Sequence, residues 1–248
     1  MSIRLPSLPT DPEAPFPPGH MALRHPDGLL AMGGDLSPPR LLNAYRSGIF
    51  PWYSEGQPIL WWCPDPRTVF RTEGVHLSSR FRRWLRRSDW VVRADTAFAQ
   101  VVTACATIPR EAQRGTWITR EMLAAYCDLH RLGHAHSIEV YAGDRLAGGL
   151  YGVSVGRMFF GESMYSGESG GSKVALAALA HRLREWGWPL LDAQVENDHL
   201  LGLGAESWPR ARFLAQVATL TTLLEPRGAW TVRFGELPAA ELASIAAG

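Results

Sequence analysis

Lysine is almost missing from this sequence: Lys173 stands alone among 248 residues, so arginine carries nearly all of the positive charge. Cysteine is scarce as well. Cys63, Cys105 and Cys127 are odd in number, far apart and without a C-x-x-C spacing, which excludes a disulfide framework and a cysteine zinc site and points to a reducing compartment. No apolar run approaches the roughly 20 residues that span a bilayer, and the N-terminus opens on prolines and acids, so neither a membrane span nor a leader is expected. Nucleotide and hydrolase signatures are missing too. Ser172-Lys173 reverses the order of a phosphate loop, and Gly33-Gly34 lacks the strand and spacing of a dinucleotide fingerprint and reads as a turn. There is no G-x-S-x-G elbow and no cysteine in a basic neighbourhood. A net charge of +1 argues against indiscriminate binding to nucleic acid.

What is present is a chain with 46% apolar residues, enough for a sizeable core in one large domain or a large and a small one. Six prolines in the first 20 residues predict an extended arm. The Gly-, Pro- and Trp-dense stretch to Pro66 reads as a small N-terminal domain, with one helix over Pro38–Ser47, capped by Ser37 and stopped at Gly48. Beyond Arg67 the pattern becomes regular. A short helix after Ser78 or Ser79 carries an apolar stripe of Phe81, Trp84 and Leu85. A second helix runs from Thr119 through Met122, Tyr126 and Leu129 to Gly133. Strands are predicted at His136–Tyr141, Leu146–Val153, Arg157–Phe160, Leu190–Val195 and Trp230–Phe234, with helices from Ser172 to Trp186 and from Pro209 to about Leu224. This order predicts an α+β fold.

Between Arg80 and Arg93 six arginines face one acid, Asp89, a local balance of +5 that makes a candidate phosphate-binding face or simply follows from the lysine scarcity. In LDAQVENDH (191–199), strand alternation puts Asp192 and Gln194 on one side, with Asn197 just beyond. A buried carboxylate needs donors, which Gln194 and Asn197 could supply; alternatively these residues lie on a solvated face or cap a turn. In FFGESMYSGESGGSK (159–173), a strand ending at Glu162 leads through a Gly/Ser-rich loop to a helix N-terminus, either an anion-binding junction or an unliganded loop. His130, His134 and His136 are close together without the spacing of a metal site and are assigned to capping and strand pairing. Trp52, Trp61, Trp62 and Trp117 fall in loop contexts, suited either to stacking on a nucleobase or to packing between domains.

Taken together, PDGLLAMGGDLSP (26–38), GIFPWYS (48–54), ILWWCPDPR (59–67), GTWIT (115–119), GHAHSIEV (133–140), GGLYGV (148–153), GESMYS (161–166), DAQVENDH (192–199) and LGA (203–205) closely resemble the leucyl/phenylalanyl-tRNA-protein transferase family over roughly residues 20–215. The resemblance implies an α+β protein with a small N-terminal domain (1–66) and a larger GNAT-like acyltransferase domain (67–248), whose mixed, antiparallel-rich sheet is flanked by helices. It implies a cytoplasmic monomer, without cofactor or membrane, that moves Leu or Phe, or also Met, from Leu-tRNA or Phe-tRNA to acceptor proteins beginning with Arg or Lys, marking them for degradation by the N-end rule. By the same resemblance Asp192, Gln194, Asn197 and Glu162 are the catalytic group. Leu150, Phe159, Met164, Leu179 and Leu191 form the aminoacyl pocket, with Leu179 where family members can carry phenylalanine. Trp52 and Trp117 match aromatic positions associated with the 3′ adenosine of tRNA, and Tyr126 is assigned to tRNA with them; the arginines Arg80, Arg82, Arg83, Arg86 and Arg87 are assigned to tRNA phosphates from their charge pattern.

Elementary chemistry agrees with this assignment. An aminoacyl ester is already activated, so aminolysis asks only for positioning, proton removal from the amine and stabilisation of the oxyanion. Asp192 would then polarise Gln194, which orients the attacking amine. Two rival readings are a CoA-dependent N-acyltransferase, although no Q/R-x-x-G-x-G/A run precedes the helix at Ser166–Lys173, and a non-catalytic RNA-binding module.

Overall fold

The computed structural model describes residues 5–108 and 118–244. The proline-rich start is an extended arm laid along the chain: Leu8 N–H donates to Met32 O, Met32 N–H donates to Pro6 O, and the Phe16 ring meets Trp61 edge-on at 4.9 Å. Strand β1 (Leu29–Met32), helix α1 (Pro38–Arg46) and strands β2 (Phe50–Pro51) and β3 (Leu60–Trp62) follow, the strands forming a small antiparallel sheet in the order β1-β3-β2. Gly33 and Gly34, both at positive φ, make the turn out of β1. Helix α1 starts where expected by a different device. Ser37 makes no side-chain capping bond; two prolines occupy the first turn, where no N–H needs a partner.

From Arg67 onward the described helices are α2 (Ser79–Leu85), α3 (Phe98–Thr107), α4 (Arg120–Arg131), α5 (Gly171–Glu185), α6 (Asp198–Gly202), α7 (Arg210–Leu220) and α8 (Thr231–Phe234). The strands are β4 (Arg67–Arg71), β5 (Val91–Ala94), β6 (Ala135–Ala142), β7 (Arg145–Val155), β8 (Met158–Ser166), β9 (Leu190–Gln194), β10 (Glu206–Trp208) and β11 (Leu237–Pro238), in one sheet ordered β10-β4-β9-β8-β7-β6-β5-β11. Within it β8 and β9 are parallel, joined through α5, and the other neighbours are antiparallel. The result is a mixed α/β fold. One apolar cluster gathers Tyr45, Trp61, Val101, Tyr126, Tyr151 and Phe213; a second gathers Phe70, Leu150, Phe159, Leu179, Trp230 and Phe234.

Helices α2 and α4 are capped as their sequences dictate, although of the expected α2 stripe only Leu85 is buried and Trp84 is 41% exposed. Ser78 Oγ accepts Phe81 N–H (3.3 Å), Thr119 Oγ1 accepts Met122 N–H (3.2 Å), and Met122, Tyr126 and Leu129 are buried at helical spacing. Helix α5, expected to begin with Ser172 as its N-cap, starts two residues earlier, after Gly170 at φ +95°, and Ser172 does not cap it. Instead Ser172 N–H donates to Ser166 Oγ (3.0 Å). Gly171 is pressed so close to β7 that a Cβ there would lie 2.3 Å from Ala147 O.

Two expectations for strands fail. The strand predicted to end near Phe160 continues to Ser166, because a bulge between Tyr151 and Gly152 keeps β7 and β8 in register; Glu162 therefore sits inside a strand, not at its end. Trp230–Phe234 is not a strand. Trp230 and Phe234 are buried while Val232, on the same face in any strand, is 94% exposed. That pattern belongs to a helical turn, closed by Phe234 N–H donating to Trp230 O (2.7 Å). The strand β5 and the helix α3 have no counterpart in the sequence reading.

Asp95, at φ 58°, ties this C-terminal turn to the sheet. Its carboxylate accepts Trp230 N–H (2.6 Å), Ser137 N–H (2.9 Å) and His136 Nδ1 (2.8 Å), and His136 Nε2 lies 3.1 Å from Ser154 Oγ. The connectivity is that of an Asp-His-Ser relay, yet the His136 side chain is 1% exposed and the Trp230 ring stacks on it at 3.8 Å. The imidazole is locked between Asp95, Ser154 and the Trp230 ring, and the group is a strut.

Candidate active site

A cavity of about 440 Å³ opens where β8 and β9 run parallel beside α5 and the small sheet. Its floor is apolar: Phe70, Leu150, Phe159, Met164, Leu176, Leu179 and Leu191. All five residues assigned to the aminoacyl pocket are among them. Trp52 and Asn197 stand at its edge, and Glu162, Asp192 and Gln194 form its polar wall.

The polar wall is wired differently from the expected Asp192–Gln194 side-chain pair. The carboxylate of Asp192 is fully buried and held by Arg67, with Nε to Oδ1 at 2.8 Å and Nη2 to Oδ2 at 2.6 Å. Arg67 Nη1 donates to Gly48 O (2.9 Å), and its guanidinium lies between the rings of Phe50 (4.8 Å) and Phe213 (4.4 Å). The donors that Gln194 and Asn197 were expected to give Asp192 are thus replaced by arginine, whose planar fork matches a carboxylate. Opposite, the β4–β9 register breaks between Thr68 and Val69. Gln194 then adopts φ 61°, unusual for a residue with a side chain, and its backbone N–H donates to Asp192 Oδ1 (3.0 Å). This kink turns the Gln194 amide onto a third residue: Nε2 donates to Glu162 Oε1 (2.9 Å).

Glu162 is the hub. Tyr45 Oη donates to its Oε1 (2.8 Å), Tyr126 Oη donates to its Oε2 (2.7 Å), and the two phenol oxygens are 2.6 Å apart. Burial pushes the Glu162 carboxyl up to about 7, helped by the nearby charge of Asp192 and opposed by the three donors. Burial and the Glu162 charge push both phenols well above their ordinary range, so they stay protonated and donate. Tyr126, assigned by resemblance to tRNA, is fully buried and belongs to this hub. Its place on the apolar stripe of α4 already argues for burial. Tyr45 and Arg67 are the functional candidates missed in the sequence; each comes from a segment far from 159–199 and carries no local pattern.

The remaining assignments divide. Asn197 Oδ1 accepts Leu200 N–H (3.0 Å) and so caps α6, leaving Asn197 at the cavity edge as a structural cap rather than a bond partner of Asp192. Trp52 is half-buried against Trp62, with ring centroids 5.4 Å apart, whereas Trp61 is fully buried and donates to Gly33 O (2.8 Å), which rules it out as a stacking platform. Trp117 lies outside the described residues. Arg80, Arg83, Arg86 and Arg87 are exposed on and just after α2, while Arg82 is half-buried with Nε donating to Leu77 O (3.0 Å). Of the three histidines, His130 stacks on Phe98 and contacts Ala135 O, and His136 belongs to the Asp95 strut.

Fold and cavity together define a class: a mixed α/β protein whose buried titrating acid stands over an apolar pocket, a site suited to acid–base group transfer. A family model described as leucyl/phenylalanyl-tRNA protein transferase matches residues 69–218, and one described as the N-terminal domain of that family matches residues 34–65. The leucyl/phenylalanyl-tRNA--protein transferase of Xanthomonas euvesicatoria pv. vesicatoria (strain 85-10) is 70% identical over 235 residues, covering 95% of this chain and 94% of that protein. Those of Xanthomonas campestris pv. campestris (strain B100) and Xylella fastidiosa (strain 9a5c) are 65% and 62% identical, covering 99% and 93% of this chain and 99% and 95% of theirs. This chain belongs to the leucyl/phenylalanyl-tRNA-protein transferase family and is an aminoacyltransferase. Among solved structures, L-PGS from Bacillus licheniformis matches at 10% identity and a TM-score of 0.35 over 60% of this chain and 48% of that one, too distant to carry any argument.

The raised Glu162 value has a thermodynamic consequence. A carboxyl with a folded value above its unfolded one binds more protons in the native state, so stability falls as pH rises from about 4.5 through about 7. Burial pushes Glu139 up to about 7 as well, so the contribution of Glu162 is read by difference. Urea unfolding at pH 5 and pH 8 should show Glu162→Gln losing up to about 3 kcal/mol of the pH-dependent destabilisation. Identical pH dependence in the two proteins would mean that Glu162 titrates normally.

Proposed function

We propose that this chain transfers Leu or Phe, with Met also accepted, from aminoacyl-tRNA to the N-terminal Arg or Lys of an acceptor protein in the cytoplasm, marking it for degradation by the N-end rule. The observation that carries the reading is the apolar cavity with Glu162 in its wall. The printed names of the relatives supply the tRNA-borne amino acids, and a pocket floored by Phe159, Met164, Leu150 and Leu179 suits a large apolar side chain without a β-branch. Selection by such a floor is by size and shape, with one methylene worth about 1–3 kcal/mol.

In the reaction the acceptor's neutral α-amine attacks the ester carbonyl, the C–N bond forms, the bond to the ribose oxygen breaks, and that oxygen leaves carrying a proton. Glu162, ionised above about 7, takes the proton from the amine and can return it to the leaving oxygen. Tyr45, Tyr126 and Gln194 hold its two oxygens in place. Asp192 acts through Arg67 and the Gln194 backbone, as a positioning residue. The arginine face of α2 meets tRNA phosphates, and Trp52 at the cavity edge is placed to stack on the terminal base. The β8-α5-β9 crossover within an antiparallel-rich sheet supports a GNAT-like reading of residues 67–248, with 1–66 as the smaller N-terminal unit acting in the same monomer.

The test is direct: Phe-tRNA mixed with an Arg-initiated peptide should give a peptide longer by one Phe, and no product under saturating conditions would reject the reading. In the same assay Glu162→Gln should lower kcat by about 10²–10⁴-fold with tRNA affinity little changed. Normal turnover would remove Glu162 from proton handling. Neutralising Arg82, Arg83 and Arg86 together should weaken tRNA binding and flatten its dependence on salt, while an unchanged slope would return α2 to an ordinary solvated surface.

A further inference from the structure

The deepest wall of the cavity is backed by the C-terminal segment. Phe159 lines the cavity yet is fully buried, so its ring is packed on the side away from the opening as well. On one side it is accommodated by Gly152: a Cβ there would lie 2.2 Å from Phe160 O and 2.5 Å from Phe159 Cε1, so the ring packs directly on a backbone position that has no room for a side chain. On another it meets the indole of Trp230, with ring centroids 5.7 Å apart and a 40° tilt. Trp230 has little freedom of its own. It stacks on His136 at 3.8 Å and 7°, its backbone N–H is held by Asp95 (2.6 Å), and Trp186 and Trp188 abut it at 4.9 and 5.8 Å.

We propose that Trp230 is a specificity-determining residue: it fixes how far the Phe159 ring can retreat and thereby sets the depth of the pocket that receives the amino-acid side chain. The inference rests on the cavity being the aminoacyl pocket. Its physical basis is that a close-packed wall transmits a change of volume behind it, whereas a wall backed by space yields to a larger guest. A residue 71 positions beyond Phe159 and without contact to substrate thus acts on substrate choice by limiting the motion of one ring. The strut of Asp95, His136 and Trp230 then has a task in the reaction as well as in the fold.

The experiment measures kcat/KM for tRNA charged with Leu, Phe and the larger Trp, in the wild type, Trp230→Leu, the milder Trp230→Phe and, as a direct probe of the wall, Phe159→Leu. Ratios between donors on one preparation do not depend on the fraction folded, so a merely destabilised variant leaves them unchanged. Trp230→Leu, or Trp230→Phe if the former does not fold, should raise the Trp-to-Leu ratio by about tenfold, in the same direction as Phe159→Leu. If Phe159→Leu shifts the ratio and neither Trp230 variant does, the inference is wrong while the pocket stands. If none of them shifts it, the cavity does not receive the amino-acid side chain and both readings fall.

Discussion

The site hangs on one buried ion pair. Arg67 and Asp192 join β4 to β9 through two charge-assisted bonds in a place closed to water. Removing either partner of such a pair typically costs about 3–5 kcal/mol, because the other charge is left uncompensated. Stability alone does not account for it, since apolar residues can fill the same space as well or better. What the pair supplies is geometry. With Asp192 fixed, the backbone N–H of Gln194 has a strong acceptor outside the strand ladder, the chain kinks into a left-handed conformation there, and the amide is delivered to Glu162. The left-handed backbone at Gln194 is the cost of that delivery, and the surrounding bonds hold it in place.

The second constraint is burial of an acid among neutral donors. Tyr45 comes from α1 and Tyr126 from α4, so the two carboxylate oxygens are held by parts of the chain more than 80 residues apart. Arg67 likewise reaches back to Gly48 O. The N-terminal 66 residues therefore do more than cover the sheet. They contribute a hydroxyl to the hub, a carbonyl to the ion pair, and Phe50, Pro51 and Trp52 to the cavity lining.

Much of this was legible in the sequence wherever local physics decides. The caps at Ser78 and Thr119, the turn at Gly33-Gly34 and the apolar stripe of α4 follow from side chains a few residues apart. The five apolar floor residues and the importance of Glu162, Asp192 and Gln194 came from resemblance, and the cavity brings them together. What local reading could not supply was pairing at long range. Alternation in β9 put Asp192 and Gln194 side by side, but no property of 191–199 says that Arg67 will claim the carboxylate and free the amide for Glu162. Trp230–Phe234 misled for a related reason: positions i and i+4 share a face in both a strand and a helix, and only the exposure of Val232 decides between them.

The central claim is that Glu162 accepts the proton of the attacking amine from within its shell of donors. The most direct measurement is the pH dependence of single-turnover transfer from Phe-tRNA to an Arg-initiated peptide, compared between the wild type and Tyr126→Phe. The rate should rise through a midpoint near 7, and loss of the Tyr126 donor, which favours the ionised carboxylate, should move that midpoint upward. The acceptor's own amine titrates at about 7.7–8 but cannot respond to Tyr126. A midpoint identical in the two proteins would assign the titration to the amine and contradict the account.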